Sequence, residues 1–211
     1  MVGNTDYTGT EFLKAITNQG TFTEVTTPYI GLITAVTNDA GTVTEAAYTG
    51  YARVSAAFNA PSGSEPVTVT NSGTLTFGVC TNAGTSVIET EIAFGLWDTS
   101  SSGNLITWDY LGGTSWLPFD CNHASPGTIT CDGGTFTDGQ QIALTSRFGG
   151  TLPTGLAEYT VYTVAGASGN TFNVSTNTSS IGDGMLKLVV AQSIVPGGQP
   201  VVAPGSLVIG S

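Results

Sequence analysis

From residue 28 onward the sequence is a succession of short extended runs, broken repeatedly by Gly, Asn, Asp and Ser. That punctuation is the strongest constraint on the fold, because short strands joined by turns bury their apolar faces only by packing or closing sheets. "PYIGLITAV" (28–36) is a nearly continuous apolar strand, "NDAG" (38–41) turns it, and "YARVSAAF" (51–58) is the next extended piece. "PVTVT" (66–70), "TLTFGV" (74–79) and "SVIETEIAFGLWD" (86–98) follow. In the last run Val87, Glu89 and Glu91 alternate with Ile88, Thr90 and Ile92, which predicts one solvated and one buried face. Ser100–Asn104 is a polar Ser/Gly turn between "AFGLWD" and "LITWDY", which predicts a β-hairpin. Its aromatic residues are expected to pack across strands or against a neighbouring subunit.

One helix precedes the strands. Thr8 and Glu11 have capping-box spacing, Phe12, Leu13 and Ile16 share a face, and Gly20 can end the helix. Composition shifts again at 120–135, where "DCNHASPGTITCDGG" is polar and rich in turn residues. "QQIALTS" (140–146), "GTLPTGL" (150–156), "EYTVYTVAG" (158–166) and "NTFNVST" (170–176) then predict a second, compact β unit. "GMLKLVVAQSI" (184–194) leads into "GGQPVVAPGSLVIGS", whose apolar end is expected to return to the first unit. The expected architecture is therefore all-β. It has a β-sandwich-like base formed by residues 1–119 plus 189–211, one short N-terminal helix, and an inserted small β module at 120–188.

Charge removes several function classes. Lys and Arg total 4 against 15 Asp and Glu, a net charge of −11. Nucleic-acid binding requires cations that displace phosphate counterions, so no nucleic-acid partner is expected. The same charge opposes anionic lipid surfaces. With no apolar run of the ~18 residues that a membrane span requires, no membrane partner is expected either. "MVGNTDYTGTEF" has neither the basic start nor the apolar stretch of a signal peptide, so synthesis in a reducing cytosol is expected. Cys80, Cys121 and Cys131 are an odd set without CxxC spacing. They read as small buried thiols, with a Cys121–Cys131 bridge across a hairpin as the alternative.

Residues able to do chemistry are sparse. His123 is the single histidine, and "CNHAS" lacks the helix or glycine elbow that a nucleophile–base site uses. Asp132 and Asp138 lie in Gly-rich turns that could supply oxygens to calcium, but the EF-hand order is missing. Glu89 with Glu91, and Asp98 with Asp109, are the carboxylate pairs a glycosidase would need about 5–9.5 Å apart. Solvated strand-face charge is the simpler account of Glu89 and Glu91. No catalytic residue, metal ligand set or cofactor is expected.

Taken in order, "YIGLITAV" (Tyr29–Val36), Glu45 before "GYARV" (Gly50–Val54), "FGLWDTSSSGNLI" (Phe94–Ile106) and the closing "PVVAPGSLVI" (Pro200–Ile209) resemble a family of tailed-bacteriophage virion structural proteins, often labelled tail-fibre proteins. Residues 136–176 resemble a small β module that recurs in phage structural proteins. The resemblance implies an architectural, non-enzymatic role in the virion. The leading expectation is a capsid decoration or cement protein on the capsid surface, binding the major capsid protein as a homotrimer. The alternative is a tail-fibre or receptor-binding protein that assembles with tail proteins and contacts host glycans. A secreted glycan-acting enzyme is a third class. The candidate interface residues are Phe12, Tyr29, Tyr51, Trp97, Trp108, Tyr110 and Trp116.

Overall fold

The computed structural model describes residues 5–21, 23–38, 42–63, 67–112, 115–124, 126–147, 150–174, 176, 178 and 180–210. The protein is all-β, with one short helix among the described residues. It divides into two compact units, Met1–Asp109 with Gln192–Ser211, and Tyr110–Ala191. In chain order the first carries α1 (Asp6–Thr17), β1 (Tyr29–Val36), β2 (Val43–Glu45), β3 (Val54–Ser55), β4 (Thr68–Thr70), β5 (Leu75–Thr76), β6 (Glu89–Glu91), β7 (Ala93–Trp97) and β8 (Leu105–Tyr110), whose last residue opens the second unit. The second carries β9 (Leu117–Cys121), β10 (Thr128–Cys131), β11 (Gln141–Thr145), β12 (Val161–Ser168), β13 (Thr171–Val174) and β14 (Gly182–Val189). The chain then returns with β15 (Gln192–Ile194), β16 (Val201–Val202) and β17 (Val208–Gly210).

In the first unit β1 is central, with β2 and β3 as antiparallel partners along one edge and β7 along the other. Its β-branched and Leu side chains suit a buried pleated strand, and Ile30, Leu32, Ile33 and Val36 are all buried. β7 is followed in the sheet by β8, so the hairpin predicted around Ser100–Asn104 is present. Phe77, Tyr48, Cys80, Ile194 and Leu207 complete this core with Ile30 and Leu32. Backbone crowding explains one glycine pair: a Cβ on Gly78 would lie 1.8 Å from the Gly50 carbonyl oxygen, and Gly50 itself has φ +104°.

Two apolar runs that read as single strands are each divided. "SVIETEIAFGLWD" splits at Ile92, so that β6 pairs with β15 while β7 pairs with β1. The C-terminal run splits into β16, which pairs with β5, and β17, which pairs with β4. Residues 192–210 thus retrace β6, β5 and β4 in reverse order, each time antiparallel. Asn71, fully buried, fastens this strap. Its Nδ2 donates to the carbonyls of Gly73 (2.8 Å) and Ala203 (2.9 Å), and its Oδ1 accepts from Leu207 N–H at 2.9 Å.

α1 starts one turn earlier than the capping-box spacing predicts. Thr5 is the N-cap, and its hydroxyl also donates to the carbonyls of Leu105 (2.6 Å) and Ile106 (3.1 Å) at the edge of β8. Thr8 lies inside the first turn and donates to the same Ile106 carbonyl. The stop is Asn18 in the left-handed region, φ 55°, instead of Gly20. Of the turn predicted at 38–41, residues 39–41 lie outside the described residues.

The second unit is a closed six-stranded barrel in the order β10-β13-β12-β11-β14-β9. Closure removes the open edges that short strands otherwise present. Ile129, Ile142, Leu144, Phe172 and Leu186 fill its interior, with the rings of Phe136 and Phe172 centred 4.5 Å apart. "GTLPTGL" contributes no strand; it is a turn whose Leu156 is buried against the barrel core.

Asn71 satisfies three backbone groups from inside the core, so Asn71→Ala is expected to destabilise the protein by about 2–4 kcal/mol by orphaning them. Asn71→Asp should do little better, since a carboxylate cannot donate to the two carbonyls. Urea unfolding of the two variants checks both expectations.

Candidate functional site

Four of the segments that carried the family resemblance meet at one place in the first unit. Gly31 on β1 lies under the Trp97 ring from β7, where a Cβ would come within 2.7 Å of both the ring and the Tyr51 hydroxyl. Glu45, the last residue of β2, accepts from Tyr51 Oη–H at 2.7 Å and from Arg53 through Nε and Nη2, both at 2.8 Å. Arg53 also donates through Nη1 to the carbonyls of Thr99 (3.1 Å) and Ser102 (2.6 Å) in the hairpin turn. Its guanidinium carbon sits 4.2 Å from the centre of the Trp97 ring. The Tyr51 hydroxyl in turn accepts the Leu32 N–H at 2.9 Å. Burial, then the hydrogen bond to Glu45, raises the Tyr51 pKa, so the phenol is held as a donor. Chemically the cluster binds backbone segments to one another: its cation and its carboxylate are engaged with each other and with the chain.

The carboxylate pairs are placed differently from the expectation. Glu89 is half-buried and accepts Ala47 N–H (3.2 and 3.1 Å to its two oxygens) and Tyr48 N–H (3.0 Å). Glu91 is 0% exposed. Burial, reinforced by the like charge of Glu89, pushes its carboxyl up to about 8. The face carrying Glu89 and Glu91 is therefore not the solvated one. The alternation misled because the segment after β2 lies against this face: Ala47 and Tyr48 reach the Glu89 carboxylate, and Tyr48 feels the charge of Glu91 as well. Asp98 ties the hairpin turn, accepting Asn104 N–H and Nδ2–H, each at 2.8 Å.

His123 is exposed in a loop, and Asp138 caps the Ala167 N–H at 2.7 Å. Among the described residues no group of three or more His, Cys, Asp and Glu is placed to hold a metal ion. The three cysteines are free, buried thiols. In the β9–β10 ladder Cys121 faces Ile129 and Cys131 faces Phe119, so the two are not cross-strand partners. Burial, then nearby Asp132, pushes the Cys131 thiol up to about 11.

The aromatic candidates separate by exposure. Trp97, Trp108 and Tyr110 are buried within the chain. Tyr29, Tyr51 and Trp116 are half-buried, with the Trp116 ring edge-on to Tyr110 at 6.3 Å. Phe12 is 60% exposed, and beside it Leu13 and Ile16 are 56% and 61% exposed. Tyr7, Phe12, Ala15, Val25 and Ile106 help line an open groove of about 350 Å³ along this helix. The sequence pattern of α1 marked the apolar stripe; it carries no signal that the stripe faces outward.

The family model for podophage GP4 fiber I protein gp80 matches residues 3–115. The chain belongs to this family. It is thus a member of a phage virion structural family, and the virion is its place of work. No curated protein matches the chain. The matched span contains every member of the Arg53 cluster, from Gly31 and Glu45 through Tyr51 and Trp97 to the hairpin turn. It ends before β9, so the barrel and the returning strap lie outside it.

No helix among the described residues is long and apolar enough to cross a membrane. For the Arg53 cluster, a lysine at position 53 keeps the charge and loses the planar fork that reaches Glu45 and the turn together. Arg53→Lys is expected to cost about 1.5–3 kcal/mol in denaturant unfolding, and Arg53→Ala more, about 3–5 kcal/mol, because Glu45 is left without its cation.

Proposed function

We propose that the protein is a fibre component of a tailed-phage virion, an adsorption-side part that assembles with tail proteins and has no catalytic task. The single observation carrying this reading is the match of more than half the chain to a family described as a fiber protein. The Arg53 cluster is consistent with it, because every ionic and hydroxyl group there is spent on holding strands and a turn in place. A capsid decoration or cement role, bound to the major capsid protein, is the second reading. What favours it is the build of the chain, two compact units of short strands in place of an extended repeat.

Self-association belongs to the same proposal. The long apolar strand β1 is covered within the chain and calls for no partner. The exposed apolar face of α1 does, and closed symmetric oligomers bury such faces. A homotrimer joined through Phe12, Leu13 and Ile16 is the form proposed. The helix face predicts that the double variant Phe12→Asp, Ile16→Asp is a folded monomer by light scattering while the native chain is not. An unchanged mass for the variant removes α1 from the interface.

Copy number separates fibre from cement. A fibre component follows tail symmetry and should number in the tens or fewer per particle, whereas a cement protein repeats with the coat lattice. Quantifying the 21.5 kDa chain against coat protein in purified virions should give the low number, and particles lacking it should fail to adsorb while keeping their DNA on heating. Lattice-scale abundance with normal adsorption promotes the cement reading, since a ligand of the assembled shell stabilises that shell by mass action.

A further inference from the structure

Glu91 is the least expected residue in the first unit. Its side chain is 0% exposed, and among the described residues neither carboxyl oxygen has a hydrogen-bond partner at normal distance. An ionised carboxylate in that position loses its hydration and faces the like charge of Glu89, whereas the protonated form can donate to Glu89 over a longer contact. It projects from β6, the strand that pairs with β15 at the start of the returning strap, with Gln192 opposite Glu91 and Ile194 opposite Glu89.

The titratable groups around it are all acids. Glu89 lies two residues away on the same strand face. Tyr48, from the segment after β2, feels both Glu91 and Glu89 and is held up to about 12 by burial and these charges. Cys80, from the segment after β5, is the remaining group acting on Tyr48. β15 offers Gln192, Ser193 and Ile194, none of which titrates. β1 has Tyr29 as its one titratable residue, and that residue pairs with Trp97 at the end of the β1–β7 ladder away from Ala93.

We propose that Glu91 is a proton-operated latch on the β6–β15 ladder: protonated, it is tolerated in the core and the ladder closes, and loss of the proton opens the ladder. Acid therefore fastens the returning strap and alkali loosens it. The direction follows from linkage. With the closed-state carboxyl pushed up to about 8 and the open-state carboxyl near 4.5, the open form sheds its proton first as pH rises. The closed form is most favoured below the open-state value. Opening then becomes easier by about tenfold per pH unit across that window and levels off above the closed-state value.

Amide hydrogen exchange on the full chain reads this directly. After correction for the intrinsic base-catalysed rate, protection of the β6 and β15 amides should fall about tenfold per pH unit between the two values and then flatten. The β1–β7 ladder serves as the internal control and should not follow. Glu91→Gln should abolish the pH dependence at β6 and β15. The native chain supplies a second readout independent of any variant, the side-chain carboxyl ¹³C shift of Glu91, which should titrate well above the ordinary carboxylate range. An ordinary Glu91 titration overturns the latch, as does a Gln variant that keeps the native pH profile.

Discussion

The first unit depends on one guanidinium. Arg53 reaches Glu45, two carbonyls of the 98–104 turn and the face of Trp97 at once, and so joins β2, the segment leading into β3 and the β7–β8 hairpin. Two of these segments have little regular pairing of their own: β2 is three residues long and β3 only two. Short strands supply few ladder bonds, so charge-assisted side-chain bonds take over the work of setting register. Gly31 is the steric counterpart, since only a residue without a side chain lets Trp97 and Tyr51 meet over β1. These residues are spread over separate motifs in the sequence, and their meeting gives a physical reason for the motifs to occur together.

A second constraint is the returning strap. β4, β5 and β6 take their strand partners from residues 192–210, which follow only after the whole barrel has been traversed, although β4 also bridges back to Ser62. Such non-local pairing is slow to form and demands interior fasteners. Asn71 and the Glu91 position are both on that seam. One is a fully satisfied buried amide, and the other is a buried acid that tolerates the core in its protonated form.

Much of this was legible in the sequence. The all-β class, the hairpin closed by Ser100–Asn104, the single helix and the return of the C-terminal run to the first unit all follow from turn chemistry and apolar spacing. What was not legible depends on partners distant along the chain. Glu91 looked solvated because strand alternation reports a face without saying what will cover it, and the Ala47–Tyr48 segment that meets that face is about forty residues away. Thr5 caps the helix instead of Thr8, and both hydroxyls reach carbonyls of β8, long-range contacts that no local motif encodes. "GTLPTGL" looked strand-like, yet Pro153 cannot donate to a ladder and Leu156 is buried from within a turn. The exposure of Phe12, Leu13 and Ile16 is likewise a tertiary fact, since an amphipathic stripe is the same string of residues whether it faces a core or a partner.

The central claim is that the Glu45–Arg53 pair acts as a unit that organises the first domain, and a double-mutant cycle tests it most directly. Unfolding free energies of Glu45→Ala, Arg53→Ala and the double variant yield the coupling between the two side chains. The account predicts a coupling of about 1.5–3 kcal/mol, with the double variant little worse than Arg53→Ala alone. Additive losses, with a coupling below about 0.5 kcal/mol, would mean that the two residues act separately and that the organising role assigned to the pair is wrong.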